Sequence, residues 1–158
     1  MNEQIITVAS LSKQYQETQT SGVRNVSFAI QKGDIVAIIG ESGSGKSTLL
    51  KCMYGLIKPD SGEVHFNGIR VKGPDEQLIP GNAEMKMVTQ DFSLNIYAKV
   101  YDNIASMLSN TDVAAKESKT IAMMKHLHID HLRYKKITEL SGGEQQRVAI
   151  AKALVSDT

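Results

Sequence analysis

Eight consecutive residues, Gly40-Glu41-Ser42-Gly43-Ser44-Gly45-Lys46-Ser47, fit the pattern G-x-x-x-x-G-K-[ST] at every fixed position. The pattern has a direct chemical use. Glycines let the backbone fold tightly, so that successive N–H groups converge on an anion. A helix opening at the end of the loop adds unpaired donors and partial positive charge. Lys46 brings a full charge suited to β- and γ-phosphates, and Thr48 adds a phosphate-bonding hydroxyl from the next helical position. Ser47 offers a hydroxyl oxygen to Mg²⁺, a hard cation that prefers oxygen. A plain Gly/Ser turn is the bland alternative. A chance match to four fixed positions is on the order of one in a hundred for a chain this size, given glycine usage near 7%. The loop does not choose between ATP and GTP. The chain has no N-K-x-D stretch of the kind that reads guanine, which favours ATP.

A second glycine-rich helix start lies at Ser141-Gly142-Gly143-Glu144. Ser141 and Glu144 are spaced as a capping box. That explains the ends of the tetrapeptide but not its middle. Each helical glycine costs about 1 kcal/mol against alanine. Two together point to something that approaches the backbone too closely for a Cβ atom.

These residues need elements to hold them. The run DIVAIIG, 34–40, is continuously apolar and predicts a strand buried on both faces that feeds the phosphate loop. Lys46 to Tyr54 predicts a helix closed near Gly55, with Pro59 just beyond. Strands are expected at 4–9, 26–30, 61–68 and 85–90, the last ending at Gln90. Segment 31–34 reads as a turn centred on Gly33, and segments 11–23 and 72–84 read as loops. From residue 93 the pattern turns helical. Tyr101, Ile104, Met107 and Leu108 share one face, as do Ile121, Met124, Leu127 and, less cleanly, His131.

The 158 residues are 41% apolar and 22% charged, as expected of a globular domain with a core. A net charge of +1 gives no field that would select nucleic acid. No secretory signal and no membrane-spanning run are present, so any membrane role needs another chain. The single cysteine, Cys52, cannot form an internal disulfide, which fits a reducing compartment. His126, His128 and His131 match no usual zinc spacing and read as a solvated helix face. Met85, Met87, Met123 and Met124 read as packing residues.

The stretch LSGGEQQRVAIAKAL, 140–154, resembles the signature sequence of ATP-binding cassette (ABC) nucleotide-binding domains. The order of motifs resembles that family too: GESGSGKST, then TQD with Gln90, then a helical region, then the signature. The resemblance implies an α/β P-loop fold with a mixed-sheet core and an inserted helical subdomain. It divides the chain into a core at 1–92, a helical subdomain at 93–140 and a signature helix at 141–158. It further implies that Tyr15 stacks on adenine and that Gly40, Glu41, Ser42, Gly43, Ser44, Gly45, Lys46, Ser47 and Thr48 wrap the phosphates of ATP. Tyr15 reads equally well as a partly buried loop aromatic on sequence alone. Ser47 and Gln90 would serve Mg²⁺, with Gln90 also reaching the attacking water. Ser141, Gly142, Gly143 and Gln145 would contact ATP held by a second, head-to-tail nucleotide-binding domain. Glu144 stands where many members carry Gln.

The implied function is the ATP-binding subunit of a transporter, lying in the cytoplasm at the inner face of a membrane and driving a separate membrane-spanning partner. Three alternatives remain: a mechanical ATPase of the same family outside transport, a small P-loop kinase, and a non-catalytic nucleotide-binding regulator. A kinase needs an arginine-bearing lid, yet the only late arginines are Arg133 and Arg147, and Arg147 lies in the signature helix. The family's hydrolytic carboxylates sit on an apolar strand ending in Asp-Glu. Neither the phosphate loop with Glu41, nor KMVTQD, nor ALVSD with Asp157 fits that description. The chain therefore reads as the first two-thirds of such a domain, incomplete at its carboxyl end and not competent for hydrolysis alone.

Overall fold

The computed structural model describes residues 3–15 and 18–157. Met1, Asn2, Gln16, Glu17 and Thr158 lie outside it, as do the side chains of 18–21 and Asp157. The chain divides into two compact units, Met1–Met85 and Lys86–Thr158.

The first unit is built on a four-stranded antiparallel sheet in the order β2-β1-β3-β4. Its strands are β1 Gln4–Tyr15, β2 Thr18–Gln31, β3 Ser61–Phe66 and β4 Ile69–Arg70. The helix α1, Lys46–Tyr54, covers one face of the sheet. Val8, Leu11, Val23 and Val64 from the strands meet Leu49, Cys52 and Met53 from the helix in one core. The helix bounds agree with the sequence expectation, because the signals at both ends are local. At the carboxyl end Gly55 N–H donates to Cys52 O (3.1 Å) and Leu56 N–H to Lys51 O (2.9 Å).

Three expectations fail. Residues 11–23 are not a loop. Apart from Gln16 and Glu17, which lie outside the described residues, they belong to the long β1–β2 pair, with Lys13 opposite Val23 and Gln14 opposite Gly22. The polar composition reflects a hairpin whose β2 is the sheet edge rather than a loop, and its register shifts hide the two-residue alternation. Near these shifts Ser10 and Asn25 take φ values of 48° and 46°. Side-chain hydroxyls accept their freed backbone donors: Ser10 N–H donates to Ser27 Oγ (2.8 Å) and Asn25 N–H to Ser12 Oγ (2.9 Å).

The second failure is at 34–40, which forms no strand and takes no strand partner among the described residues. Ile35 is 100% exposed and Ile39 92%, and within this run only Ile38 packs against the core. An apolar run records what it is built to be buried against, but it does not supply the neighbouring strands. Segment 85–90 behaves likewise: it takes no strand partner among the described residues, and Gln90 is an exposed turn residue rather than a strand end.

The second unit is helical. It contains α2 Val100–Ala105, α3 Val113–His126 and α4 Gly142–Leu154. Short 3₁₀ turns lie at Asp130–Leu132, Ile137–Glu139 and Val155–Asp157. Val100, Ile104, Met124, Ile129, Leu132, Ile137, Val148 and Val155 form one core, so the signature helix shares its apolar face with the preceding helices. Of the expected face residues, Ile104 and Met124 are buried and Tyr101, Leu108 and Leu127 pack at the margin, while Met107 and His131 are exposed. Asn103 is buried and fully used. Its Oδ1 accepts from Asn95 N–H (2.8 Å), and its Nδ2 donates to Asn95 O (3.0 Å) and Lys99 O (3.1 Å). No helix among the described residues is long and apolar enough to cross a membrane.

Candidate functional site

The phosphate loop joins the exposed 34–40 segment to α1. Gly45 is the pivot, with φ 88° in the left-handed region. A Cβ there would stand 2.1 Å from Gly22 O on β2. The β1–β2 hairpin, loop-like in sequence, is thus the wall against which the phosphate loop is pressed. Gly22 is a structural contributor that sequence reading missed, because nothing local marks a contact between residues 22 and 45.

Within the loop, Ser44 N–H closes on Glu41 O at 3.2 Å. The first helical donor with an intrahelical acceptor is Leu49 N–H, to Gly45 O at 2.8 Å. The N–H groups of Lys46, Ser47 and Thr48 are the unpaired donors of the first turn. No acidic residue occupies that turn. Lys46 Nζ is folded back on the loop and donates to Gly40 O (2.9 Å), Glu41 O (2.6 Å) and Ser44 Oγ (3.3 Å). An ammonium held by two carbonyls and a hydroxyl is centred in the cradle, where phosphate oxygens can replace those acceptors. Ser47 is exposed beside it. The donor set fits a triphosphate and its magnesium ion: a charged ammonium, bare N–H groups and a free-standing hydroxyl, with no carboxylate in the helical turn. Tyr15, 39% exposed, ends β1 with its hydroxyl 3.5 Å from Thr48 Oγ1. The fold therefore brings the aromatic ring and the phosphate helix together.

Gln90 and the 141–145 segment belong to the second unit. The turn around Gln90 is stitched by Thr89, Asp91 and Ser93. Thr89 Oγ1 bonds Asp91, and Ser93 Oγ lies 3.3 Å from Thr89 Oγ1 and 3.5 Å from Asp91 Oδ1. Lys152 Nζ, from the last turn of α4, donates to Ser93 O at 2.8 Å. That tie spans 59 residues of sequence, and no local signal announces it.

At the amino end of α4 the capping box forms as its spacing predicts. Ser141 N–H donates to Glu144 Oε2 (2.8 Å), Ser141 Oγ–H donates to the same oxygen (2.7 Å), and Glu144 N–H returns to Ser141 Oγ (3.4 Å). The Ser141 hydroxyl and backbone N–H hold the Glu144 carboxyl below its ordinary range, helped by Lys135 and Arg147. A Cβ on Gly142 or Gly143 would meet nothing within 4 Å. Gln145 Nε2 donates inward to Leu140 O (3.1 Å) and Ile137 O (3.3 Å), so this side chain braces the turn before the helix. His126, His128 and His131 are exposed, and no group of three metal-ligating side chains comes together among the described residues.

Comparison with known proteins gives the chain a family. The sequence profile described as "ABC transporter" matches residues 23–158. The molybdate/tungstate import ATP-binding protein WtpC of Pyrococcus horikoshii is 39% identical over 153 residues, covering 96% of this chain and 42% of that protein. WtpC of Pyrococcus abyssi gives the same identity and coverage. Among solved structures, CbiO1 of Clostridium perfringens, part of the ABC transporter complex CbiONQ, superimposes with a TM-score of 0.77 at 26% identity. That match covers 98% of this chain and 62% of CbiO1. The chain thus spans less than half the length of the curated relatives it matches. With the profile running from the phosphate loop through the signature helix, the chain belongs to the ABC transporter family, in the part that carries its nucleotide-binding fold.

Proposed function

We propose that this chain is the nucleotide-binding portion of an ABC transporter ATPase. It holds Mg·ATP in its own phosphate loop and offers the tip of α4 to the ATP of a second copy or a paired domain. One observation carries the reading furthest: Gly142 and Gly143 lack Cβ atoms that no described residue excludes. A residue type that costs helix stability, in open space at a donor-rich helix start, answers to something outside the chain.

In this reading Tyr15 stacks on the base, Lys46 turns from Gly40 O and Glu41 O to the β- and γ-phosphates, and Ser47 takes the metal. The metal supplies charge neutralisation for the phosphates when bound. Gln90 senses the γ-phosphate and passes that state to α4 through the Ser93–Lys152 bond. Ser141, Gly142 and Gly143 close over the partner's γ-phosphate, with Gln145 supporting them. The import role of the relatives suggests a separate membrane-spanning partner, and no nucleic acid. Closure around two nucleotides would do the mechanical work. The chain binds nucleotide without turning it over, because its 158 residues hold no apolar strand ending in Asp-Glu to fix metal and water.

The test is Gly143→Asp. The space is open and an acidic side chain suits a helix N-terminus, so the variant folds at least as well as the parent. Mg·ATP binding to the phosphate loop is expected to persist, while ATP-dependent association measured by sedimentation is lost. Phosphate release stays at background in both samples. Unchanged association in the variant, or ordinary ATPase rates in the parent, overturns the reading.

A further inference from the structure

The two glycine-rich helix starts differ in charge as well as in packing. The first turn of α1 carries no acidic residue, whereas the first turn of α4 carries Glu144. That carboxylate accepts both the backbone N–H and the hydroxyl proton of Ser141 on one oxygen, at 2.8 and 2.7 Å. The hydroxyl proton is therefore spent inward. A phosphate docking on Ser141 must draw that proton away from Glu144. It must also stand, across one hydroxyl, from an ionised carboxylate. Both requirements oppose binding, and like charges at such a separation repel even in a solvated setting. Lys135 and Arg147 are the cations near the carboxylate. Their attraction keeps it ionised and does not release the Ser141 proton.

We propose that Glu144 is a positioning residue that weakens this half-site: by holding the Ser141 hydroxyl inward, it sets a lowered affinity of the α4 tip for the γ-phosphate of a partner's nucleotide. The inference rests on the reading of α4 as a half-site for partner-held ATP. The device keeps two nucleotide-loaded copies from closing too tightly, because each closure must first break a Ser141–Glu144 bond.

The conservative replacement separates this role from capping. Glutamine satisfies a capping box as glutamate does, so Glu144→Gln keeps the box and the fold while removing the charge. The Mg·ATP-dependent self-association of the full chain is compared between parent and variant, each with and without Gly143→Asp. ADP binding to the phosphate loop serves as the control. Expected is an association about three- to tenfold tighter in Glu144→Gln with ATP, unchanged ADP binding, and loss of association on adding Gly143→Asp. Equal association in parent and Glu144→Gln, with Gly143→Asp still abolishing it, overturns the role of Glu144 and leaves the half-site standing. Association insensitive to Gly143→Asp, or absent from parent and Glu144→Gln alike, overturns the half-site and this inference with it.

Discussion

A methyl group added to Gly45 would collide with the chain itself, 2.1 Å from Gly22 O, whereas methyl groups added to Gly142 and Gly143 would meet nothing within 4 Å. Both glycine-rich segments open helices and both leave backbone donors bare. The phosphate loop is shaped from within: a hairpin strand presses on it, a left-handed residue turns it, and its lysine is pinned to its own carbonyls. The α4 tip is closed by its capping box and braced by Gln145, and its two glycines face open space. A glycine pressed by its own chain and a glycine in open space look alike in sequence. They separate once the added Cβ is placed.

The sharpest way to break that contrast is Gly45→Ala. The substitution puts a Cβ into the carbonyl of Gly22 and an L-residue at φ 88°. Left-handed strain of about 1–3 kcal/mol adds to the displacement of β2 from the loop. Expected is a loss of about 3–4 kcal/mol in denaturant unfolding of the first unit, together with loss of nucleotide binding. A variant as stable as the parent would falsify the internal origin of this glycine.

A second measurement probes how firmly α1 is held from below. Cys52 lies on the buried face of the helix, and burial pushes its thiol up to about 11, with Asp60 adding to the rise and Lys13 opposing it. A raised pKa means that the unfolded chain ionises first. The stability contributed by the neutral buried thiol is therefore complete below about pH 9 and is lost as pH rises toward 11. Each tenfold change in an ionisation constant is worth about 1.4 kcal/mol, so the loss is at most about 2–3 kcal/mol. Comparing urea unfolding of the parent and Cys52→Ala between pH 8 and pH 11 isolates the thiol from other groups. Parallel curves would show that α1 is not sealed against the sheet.

Legibility in the sequence followed the range of the interactions. The bounds of α1 and the capping box of α4 were readable because each rests on residues a few positions apart: Lys46 to Gly55 in one case, Ser141 to Glu144 in the other. The phosphate loop was readable for the same reason. The β1–β2 hairpin was not, since bulges near Ser10 and Asn25 break its alternation and its polar residues resemble a loop. The strands expected at 34–40 and 85–90 do not form: an apolar run such as 34–40 marks a preference for burial, but pairing needs partners that no described residue provides. The Gly22–Gly45 contact and the Lys152–Ser93 bond, which place the loop and brace the turn after Gln90, join residues far apart in sequence. Only the folded chain reveals them.

The smallest expected change in stability belongs to Gly143→Ala, and it completes the comparison. Alanine removes the backbone entropy cost of glycine, a gain of at most about 1 kcal/mol in a helix interior and less in the first turn, where the backbone is only half constrained. No clash offsets the gain, because the methyl group enters open space. Thermal unfolding of the second unit should therefore rise slightly, by a degree or a few. If the open space is the place of a partner's phosphate, the same methyl group stands between that phosphate and the bare N–H groups, and ATP-dependent association weakens as the fold strengthens. Opposite signs in the two measurements are what an externally imposed glycine requires. Association unchanged or tightened in the variant would remove the case for a partner's phosphate at the α4 tip, and a loss of stability would show that the methyl group is not free there after all.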